Sequence, residues 1–340
     1  MSRRYRHRGW VDRSRPRVLD VAPGLVHESG PLPGLGWAPD RVAVMAHWST
    51  SAEPSRSVVS MLRELDSAGY ETVLVSASEV AGPIGRVCTW APGQPELPDR
   101  TTVLRRANVG YDFGSWASVL AAYPGVRAAP QVLLVNDSLI GPFAPLDEVL
   151  ADFEACSTPV WGLSGSLQHR RHLQSFFVGY EAGILDSPSL RGFWSDIRVE
   201  SRKAKIVRFN ELALSEVLDS AGIGWSAMYS PQPGGPPNPT IDDWERLLAE
   251  GFPFLKAEVV LDPPEWLEQR REIETLASSA LGQSVRDWTP IAQEPTPRSR
   301  PPGSAGRSRQ VGVIIDIDGV GGLLRAGLTR SRHSLGGHRG

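Results

Sequence analysis

Residues Gln131–Phe143 read QVLLVNDSLIGPF. Val132, Leu133, Leu134 and Val135 make a short apolar run with β-branched ends, the pattern of a strand covered on both faces. At Asn136-Asp137-Ser138 the run gives way to polar groups, and Gly141-Pro142 marks a turn. A strand covered on both faces belongs to a sheet between layers of helices. The fold class therefore depends on whether the neighbouring segments alternate in the matching way.

They do. Val42–Ala46, in RVAVMAHW, reads as a strand running into His47-Trp48, and Val58, Val59, Leu62, Leu65 and Ala68 then recur at helical spacing up to a stop at Gly69. Thr72–Ser78 and Thr101–Asn108 read as two more strands, followed by a helix over Gly114–Ala122. Beyond the opening stretch, Pro145–Ala155 is helical, with Leu146, Val149, Leu150 and Phe153 on one face. PVWGL, LQSFFVGY and GWSAMY read as strands, and PSLRGFWSDI and NELALSEVLDSAG as helices. One helix is expected within NPTIDDWERLLAEGFPF, capped by Thr240, with Asp242 and Asp243 in its first turn and Gly251 at its close; a last one is expected over residues 264–281. This order predicts an α/β fold with a mostly parallel central sheet flanked by helices on both faces. Residues 1–40 are expected to be an irregular basic arm, 41–290 the α/β domain, and 291–340 a Pro/Arg/Gly-rich tail, disordered by composition.

The net charge of −2 is unevenly spread. Residues 1–17 carry seven Arg and one Asp, and residues 298–340 eight Arg and two Asp; each tail is thus +6, which leaves −14 for residues 18–297. Basic arms on an acidic body are either solvated tails or contacts for an anionic surface such as the inner face of the cell membrane; no nucleic-acid motif accompanies them. Cys88 and Cys156 are the only cysteines and form no C-x-x-C pair, which argues against a thiolate zinc site or a disulfide framework. No stretch is apolar enough to span a bilayer and no secretory leader is visible, so a cytoplasmic location is expected.

His47, Ser76, Asn108 and Asn136-Asp137-Ser138 all fall at expected strand ends, where ligands of open α/β sheets bind. Asp137 is either a turn cap or a ligand for Mg²⁺ or Mn²⁺, which need only one or two carboxylates when a diphosphate supplies further oxygens. Asn136 or Ser138 could complete or orient that site. In RRANVGYDFGSW, Gly110 permits a positive φ, and Asp112 either caps the next helix or holds a sugar hydroxyl. The segment is neither a dinucleotide fingerprint nor a Walker loop. Glu211, near a helix start, is either a favourable dipole partner or a general base; Lys203, Lys205 and Arg208 before it could neutralise a diphosphate. His169 and His172 lack the companions of a zinc site, and His172 and Gln174 read instead as polar groups offered to an acceptor. Among the tryptophans, mostly core by default, one or two could stack on sugar rings.

The ordered run AHW, RANVGYDFGSW, LLVNDSLIGPF, WGLSGS, HLQSFF, FW, NELALSEVLDSAGI and NPTIDDWERLLAEGFPFLK resembles the rhamnan synthesis protein F family over about residues 41–260. The resemblance implies a glycosyltransferase of the GT-A type, acting in rhamnan- or lipopolysaccharide-type polysaccharide assembly. Residues 41–165 would then be the nucleotide-binding half and 166–290 the acceptor half. It implies Asn108, Gly110, Asp112, Asn136 and Ser138 as donor contacts, Asp137 as metal ligand and Glu211 as base. The donor would be a nucleotide sugar such as dTDP-rhamnose, the acceptor a glycan or lipid-linked saccharide, and the transfer inverting. NDS has one acid where the usual metal motif of that fold has two. A non-catalytic assembly protein that keeps the fold and binds glycan or partner enzymes is the alternative.

Overall fold

The computed structural model describes residues 14–22, 24–34, 36–85, 97–200, 206–261 and 270–288, all within one compact unit, Met1–Ala292. In chain order the strands are β1 (Val26–Ser29), β2 (Arg41–His47), β3 (Glu71–Ser76), β4 (Thr102–Arg105), β5 (Gln131–Asn136), β6 (Leu139–Ile140), β7 (Val160–Ser166), β8 (His172–Leu173), β9 (Phe177–Glu181), β10 (Trp225–Tyr229) and β11 (Leu255–Lys256). Nine of them form one sheet in the order β1–β4–β3–β2–β5–β9–β7–β10, with β8 paired to β7; β6 and β11 form a separate pair.

The expected mostly parallel sheet is in fact mixed. β2 runs parallel to β3 and β5, β3 to β4, and β7 to β10. β1 is antiparallel to β4, β9 to both β5 and β7, and β8 to β7. The physical reason lies between Ser166 and Phe177. A parallel return needs a crossover of about a dozen residues or more, and that connection has no room for one, so β9 comes back antiparallel and inserts between β5 and β7.

Helices cover both faces, as the apolar runs require. Along β2, Val42, Val44 and Ala46 enter one core with Phe113, Trp116 and Leu120 of the Tyr111–Ala122 helix. Ala43 and Met45 enter the other with Leu62 and Leu65 of the Arg56–Ser67 helix and Val149 and Phe153 of the Asp147–Ala155 helix. Ser55 starts the Arg56–Ser67 helix by accepting a hydrogen bond from Val58 N, and Gly69 follows it at φ 85°. A third core joins Ile140 and Leu255 to Trp244, Val259 and Ile273.

Two further expectations change. Residues 14–40 are not irregular throughout: Val18 is fully buried in the first core, and β1 closes the sheet edge on β4. Burying one such side chain contributes about 1.5–3 kcal/mol. Arg15 and Arg17 of this arm bond Glu200 and Asp196, so part of its positive charge answers acids of the body. The single helix expected in NPTIDDWERLLAEGFPF is two short ones, Pro239–Asp242 and Trp244–Ala249. The break is at Asp243, which leaves helical geometry at φ −147° and pairs with Arg246; Thr240 bonds Gln174 instead of capping. The expected helix over 264–281 is described from Arg270 to Leu281. Residues 262–269 and the tail from 289 onward lie outside the described residues. No helix among the described residues is long and apolar enough to cross a membrane.

Candidate functional site

From β2 the chain steps outward through β3 and β4, then returns to lay β5 on the other side of β2. In an open α/β sheet the reversal of strand order opens a crevice beyond the carboxyl ends of the two strands concerned. Ala46 lies opposite Asn136 and His47 opposite Ser76, so these strands end level. Trp48, the residue after β2, donates its backbone N–H to Asp137 Oδ2 at 2.8 Å. Trp48 is 52% exposed, a large apolar side chain at this end of the sheet.

Asp112 joins Asp137 here. Gly110, at φ 81°, turns the chain into the Tyr111–Ala122 helix and puts Asp112 in its first turn. A Cβ at Gly110 would stand 2.5 Å from Val18 Cγ2. Asp112 caps nothing; its Oδ2 accepts from Asn136 Nδ2 at 2.7 Å. Asn136 Oδ1 in turn accepts from the backbone N–H (3.1 Å) and the hydroxyl (2.6 Å) of Ser138. The NDS motif thus has a second acid after all, supplied from another element.

A further member is Lys256, on β11. Lys256 pairs with Leu139 of β6, and its Nζ donates to Ser138 Oγ at 2.8 Å while lying 4.2 Å from the centre of the Phe176 ring. Burial pushes the Asp112 carboxyl up to about 7, and the Asp137 charge adds to the rise; the Asn136 hydrogen bond and Lys256 oppose it. Burial likewise raises Asp137 to about 6, against the Trp48 N–H and Lys256. Burial is the main cause at both acids, and a cation beside them would favour their ionised forms.

Glu211 closes a π-helical turn, Val207–Glu211, that leads into the Leu212–Ala221 helix. Its Oε2 accepts from Ser175 N (2.8 Å) and Ser175 Oγ (2.6 Å), and its Oε1 is 3.5 Å from His172 Nε2. Burial would raise this carboxyl, but His172 and Ser175 outweigh it and hold it below its usual range. The Glu211 charge also reaches Asp112, which it raises slightly. Asp112 therefore senses Asp137 and Glu211 together.

The remaining expectations fare differently. β4 ends at Arg105, three residues before Asn108, so Asn108 sits in the following loop, exposed and outside the hydrogen-bond network around Asp112. The loop is braced by Arg106, whose Nη2 donates to Val109 O at 2.9 Å. Gln174 is engaged by Asn238 and Thr240 rather than offered to an acceptor. His172 is buried, its Nδ1 2.8 Å from Arg170 O. Lys203, Lys205 and the side chain of Arg208 lie outside the described residues. Sequence reasoning missed Ser175 and Lys256. A weak signal existed for Lys256: GFPFLK is another apolar run that ends in a polar group.

Among the described residues no three His, Cys, Asp or Glu side chains converge as a ready metal cluster. Asp112 and Asp137 are the carboxylates of this site that could hold a hard divalent cation; Ser138 Oγ is already engaged by Asn136 and Lys256.

A family model described as rhamnan synthesis protein F matches residues 93–285. The chain belongs to this family. Asp112, Asp137, Glu211 and Lys256 all lie inside the matched region, whereas β2 and His47-Trp48 precede it. The virulence protein VirA of Vibrio anguillarum (strain ATCC 68554 / 775) is 28% identical over 196 residues, covering 47% of this chain and 62% of VirA. The uncharacterized protein y4gN of Sinorhizobium fredii (strain NBRC 101917 / NGR234) is 24% identical over 135 residues, 38% of this chain and 35% of that protein. This member of the rhamnan synthesis protein F family thus spans less than two thirds of the length of either relative.

Proposed function

We propose that the chain is a glycosyltransferase of cell-surface polysaccharide synthesis, moving a sugar from a nucleotide-sugar donor to a glycan acceptor. Membership of the rhamnan synthesis protein F family supports polysaccharide chemistry and makes rhamnose, carried as dTDP-rhamnose, the first donor to try. The observation that carries the reading is the acid pair Asp112–Asp137 at the strand-order reversal between β2 and β5, with Lys256 beside it. A strand order of this kind with a GT-A type of donor site explains why these charges gather at the ends of β2 and β5.

In the reaction, an acceptor hydroxyl loses its proton to a base and its oxygen forms a bond to the anomeric carbon. The bond from that carbon to the diphosphate oxygen breaks, and the nucleoside diphosphate leaves with the electron pair. Attack from the face opposite the leaving group inverts the anomeric centre. Glu211 is the base candidate: Ser175 and His172 keep it ionised, though the same partners lower its basicity. Asn136 orients Asp112, and the Trp48 N–H orients Asp137. A divalent cation, when bound, would be held by Asp112 and Asp137 and would supply positive charge to the departing diphosphate. Trp48 offers a flat face to a sugar or base ring. The enzyme would work in the cytoplasm, where nucleotide sugars are made, at or near lipid-linked acceptors.

A second reading has its own observation. Glu211 is gripped by two donors from Ser175, which is also how a purely structural carboxylate is held. On that reading the chain is a non-catalytic assembly protein that binds glycan. Incubation with dTDP-rhamnose and a rhamnan oligosaccharide separates the two: the enzyme releases dTDP in step with glycan extension. Saturable glycan binding with no release of dTDP, or of any other nucleoside diphosphate across a panel of donors, would leave only the binding protein.

A further inference from the structure

Glu211 is gripped on one oxygen and only approached on the other. Ser175 gives both its N–H and its hydroxyl to Oε2, whereas Oε1 lies 3.5 Å from His172 Nε2. The imidazole is fixed from its far side. Nδ1 is 2.8 Å from Arg170 O, a carbonyl that only accepts, so Nδ1 carries a proton. Nε2 is then the ring atom left to gain or lose one. A formed bond between an imidazolium and a carboxylate is about 2.7–2.9 Å long, so at 3.5 Å this pair stands open. The backbone holds the ring in that place. His172 pairs with Ser166 across β8 and β7, and Leu173 N donates to Ser215 Oγ of the Leu212–Ala221 helix at 3.1 Å. Gly162 leaves room for this strand, since a Cβ there would be 2.8 Å from Leu173 Cδ2. The Glu211 side chain is 16% exposed and that of His172 4%, so a hydroxyl arriving from outside meets the carboxylate first.

The Ser175 bonds that keep Glu211 ionised also make it a weak base. An ordinary imidazole is about two pH units more basic than an ordinary carboxylate. We infer that His172 is a positioning residue that works through Glu211, and that the two receive the acceptor's proton as one unit, with the proton coming to rest between Oε1 and Nε2. This rests on the reading of the chain as a glycosyltransferase, and it supplies the proton affinity that Glu211 lacks alone. The acceptor O–H bond breaks, its electron pair stays on the oxygen that bonds the anomeric carbon, and the proton passes by way of Oε1 to Nε2. Two acceptor atoms that faced each other become a charge-assisted hydrogen bond between imidazolium and carboxylate, which favours the state after proton transfer. Among the described residues the other charges at this corner are Arg170, held by Glu216 at 3.3 Å and Asp219 at 3.5 Å, and Asp112, which the Glu211 charge reaches. Arg170 is answered by those two acids, and Glu211 is the carboxylate that meets the ring.

The test joins kinetics to the ring itself. The full chain and its His172→Gln variant are compared in transfer from dTDP-rhamnose to a rhamnan oligosaccharide across the pH range. Glutamine can still donate an N–H to Oε1, but it takes no proton. The expected result is a kcat lower by roughly 30-fold or more at every pH, with both KM values within about threefold of wild type. A His172→Gln enzyme that turns over within about threefold of wild type would overturn the pair and leave Glu211 as the sole base. The ring is read by ¹⁵N NMR of the wild type, which needs neither activity nor a variant at His172. Nδ1 is expected to keep its proton while Nε2 gains and loses one. In Glu211→Gln the Nε2 proton should be lost at lower pH, because the carboxylate that stabilises the imidazolium is gone. A bare Nδ1, or an Nε2 titration that Glu211→Gln does not move, would contradict the pairing. A wild type that transfers no sugar from any nucleotide donor would overturn the glycosyltransferase reading and this inference with it.

Discussion

The backbone N–H of Trp48 donates to Asp137 Oδ2 at 2.8 Å, so the ends of β2 and β5 are strapped together by the carboxylate that the sequence singles out. The structural role seen here and the chemical role proposed for the site fall on one side chain, and substitutions can part them. Asp137→Asn retains an oxygen for the Trp48 N–H and removes the charge. It is expected to melt at or above the wild-type temperature and to lose at least 100-fold in transfer. Asp137→Ala breaks the strap as well; a hydrogen bond to a charged group is worth about 1.5–3 kcal/mol, so this variant should melt below Asp137→Asn. Calorimetric melting of the three proteins checks the order.

Asp112 gives a related expectation. Its carboxyl is raised to about 7 because ionisation there means charge in a buried place beside Asp137. Asp112→Asn can still accept from Asn136 Nδ2 through its amide oxygen. At pH 8 the variant should be more stable than wild type by roughly 1–2 kcal/mol, measured by urea unfolding, and inactive in transfer. A loss of stability would mean that the carboxylate is satisfied in some further way.

His47 supplies the pH dependence. It is buried at the end of β2 with Nδ1 3.1 Å from Ser76 Oγ, and burial, with the Arg105 charge adding to it, lowers its pKa to about 4. In the unfolded chain its pKa is about 6.5. Above that value neither state binds the proton; between pH 6.5 and 4 only the unfolded chain does, so the stability contributed by neutral His47 drains away as pH falls through that window. The full loss is about 3 kcal/mol. Asp112 and Asp137 act in the opposite sense, because their raised carboxyls favour the folded state as pH falls from about 7 towards 4. The informative quantity is therefore the difference between wild type and His47→Gln: urea midpoints at pH 7.5 and 5 should show a steeper decline for wild type.

Glu211 is the sharpest discriminator between enzyme and binder. Glu211→Gln should reduce turnover 100-fold or more while leaving donor affinity within a few-fold, since removal of a general base costs about 10²–10⁴. Ser175→Ala removes one of the two Ser175 donors and should move the acidic limb of the kcat/KM profile to higher pH, because Glu211 then loses part of what holds it ionised. Full turnover in Glu211→Gln would assign the residue to the architecture alone.

Docking of the amino-terminal segment can be tested at Gly110. Alanine there would require a left-handed φ for a residue with a Cβ and would collide with Val18 Cγ2. Gly110→Ala should cost roughly 1–3 kcal/mol, and Val18→Ala in the same chain should relieve part of the collision, a coupling visible in a double-mutant cycle.

How far the sequence reaches is clearest at β5. Its unbroken apolar run required cover on both faces, and its abrupt polar end announced the crevice, because a buried backbone leaves no other place for charge. The antiparallel course of β9 was not readable in the same way: FFVGY shows no feature that marks direction, and only the short connection after Ser166 forces it. Gly110 declared its positive φ through being glycine. Asp112 did not declare its partner, since an acid near a helix start caps more often than it pairs with an asparagine at the end of a different strand. Lys256 was silent for the deepest reason. Its position beside Ser138 arises from a two-residue strand pair closed over a long stretch of chain, and no local pattern encodes such a contact.

The most direct measurement is a crystal structure of the chain with dTDP-rhamnose, or with dTDP and Mg²⁺, paired with the same soak of Asp137→Asn. The expected result is a diphosphate at the carboxyl ends of β2 and β5, within bonding distance of Asp137 either directly or through a cation, and vacant in the variant. A nucleotide bound at another edge of the sheet, or bound identically in Asp137→Asn, would contradict the claim that the Asp112–Asp137 crevice is the donor site.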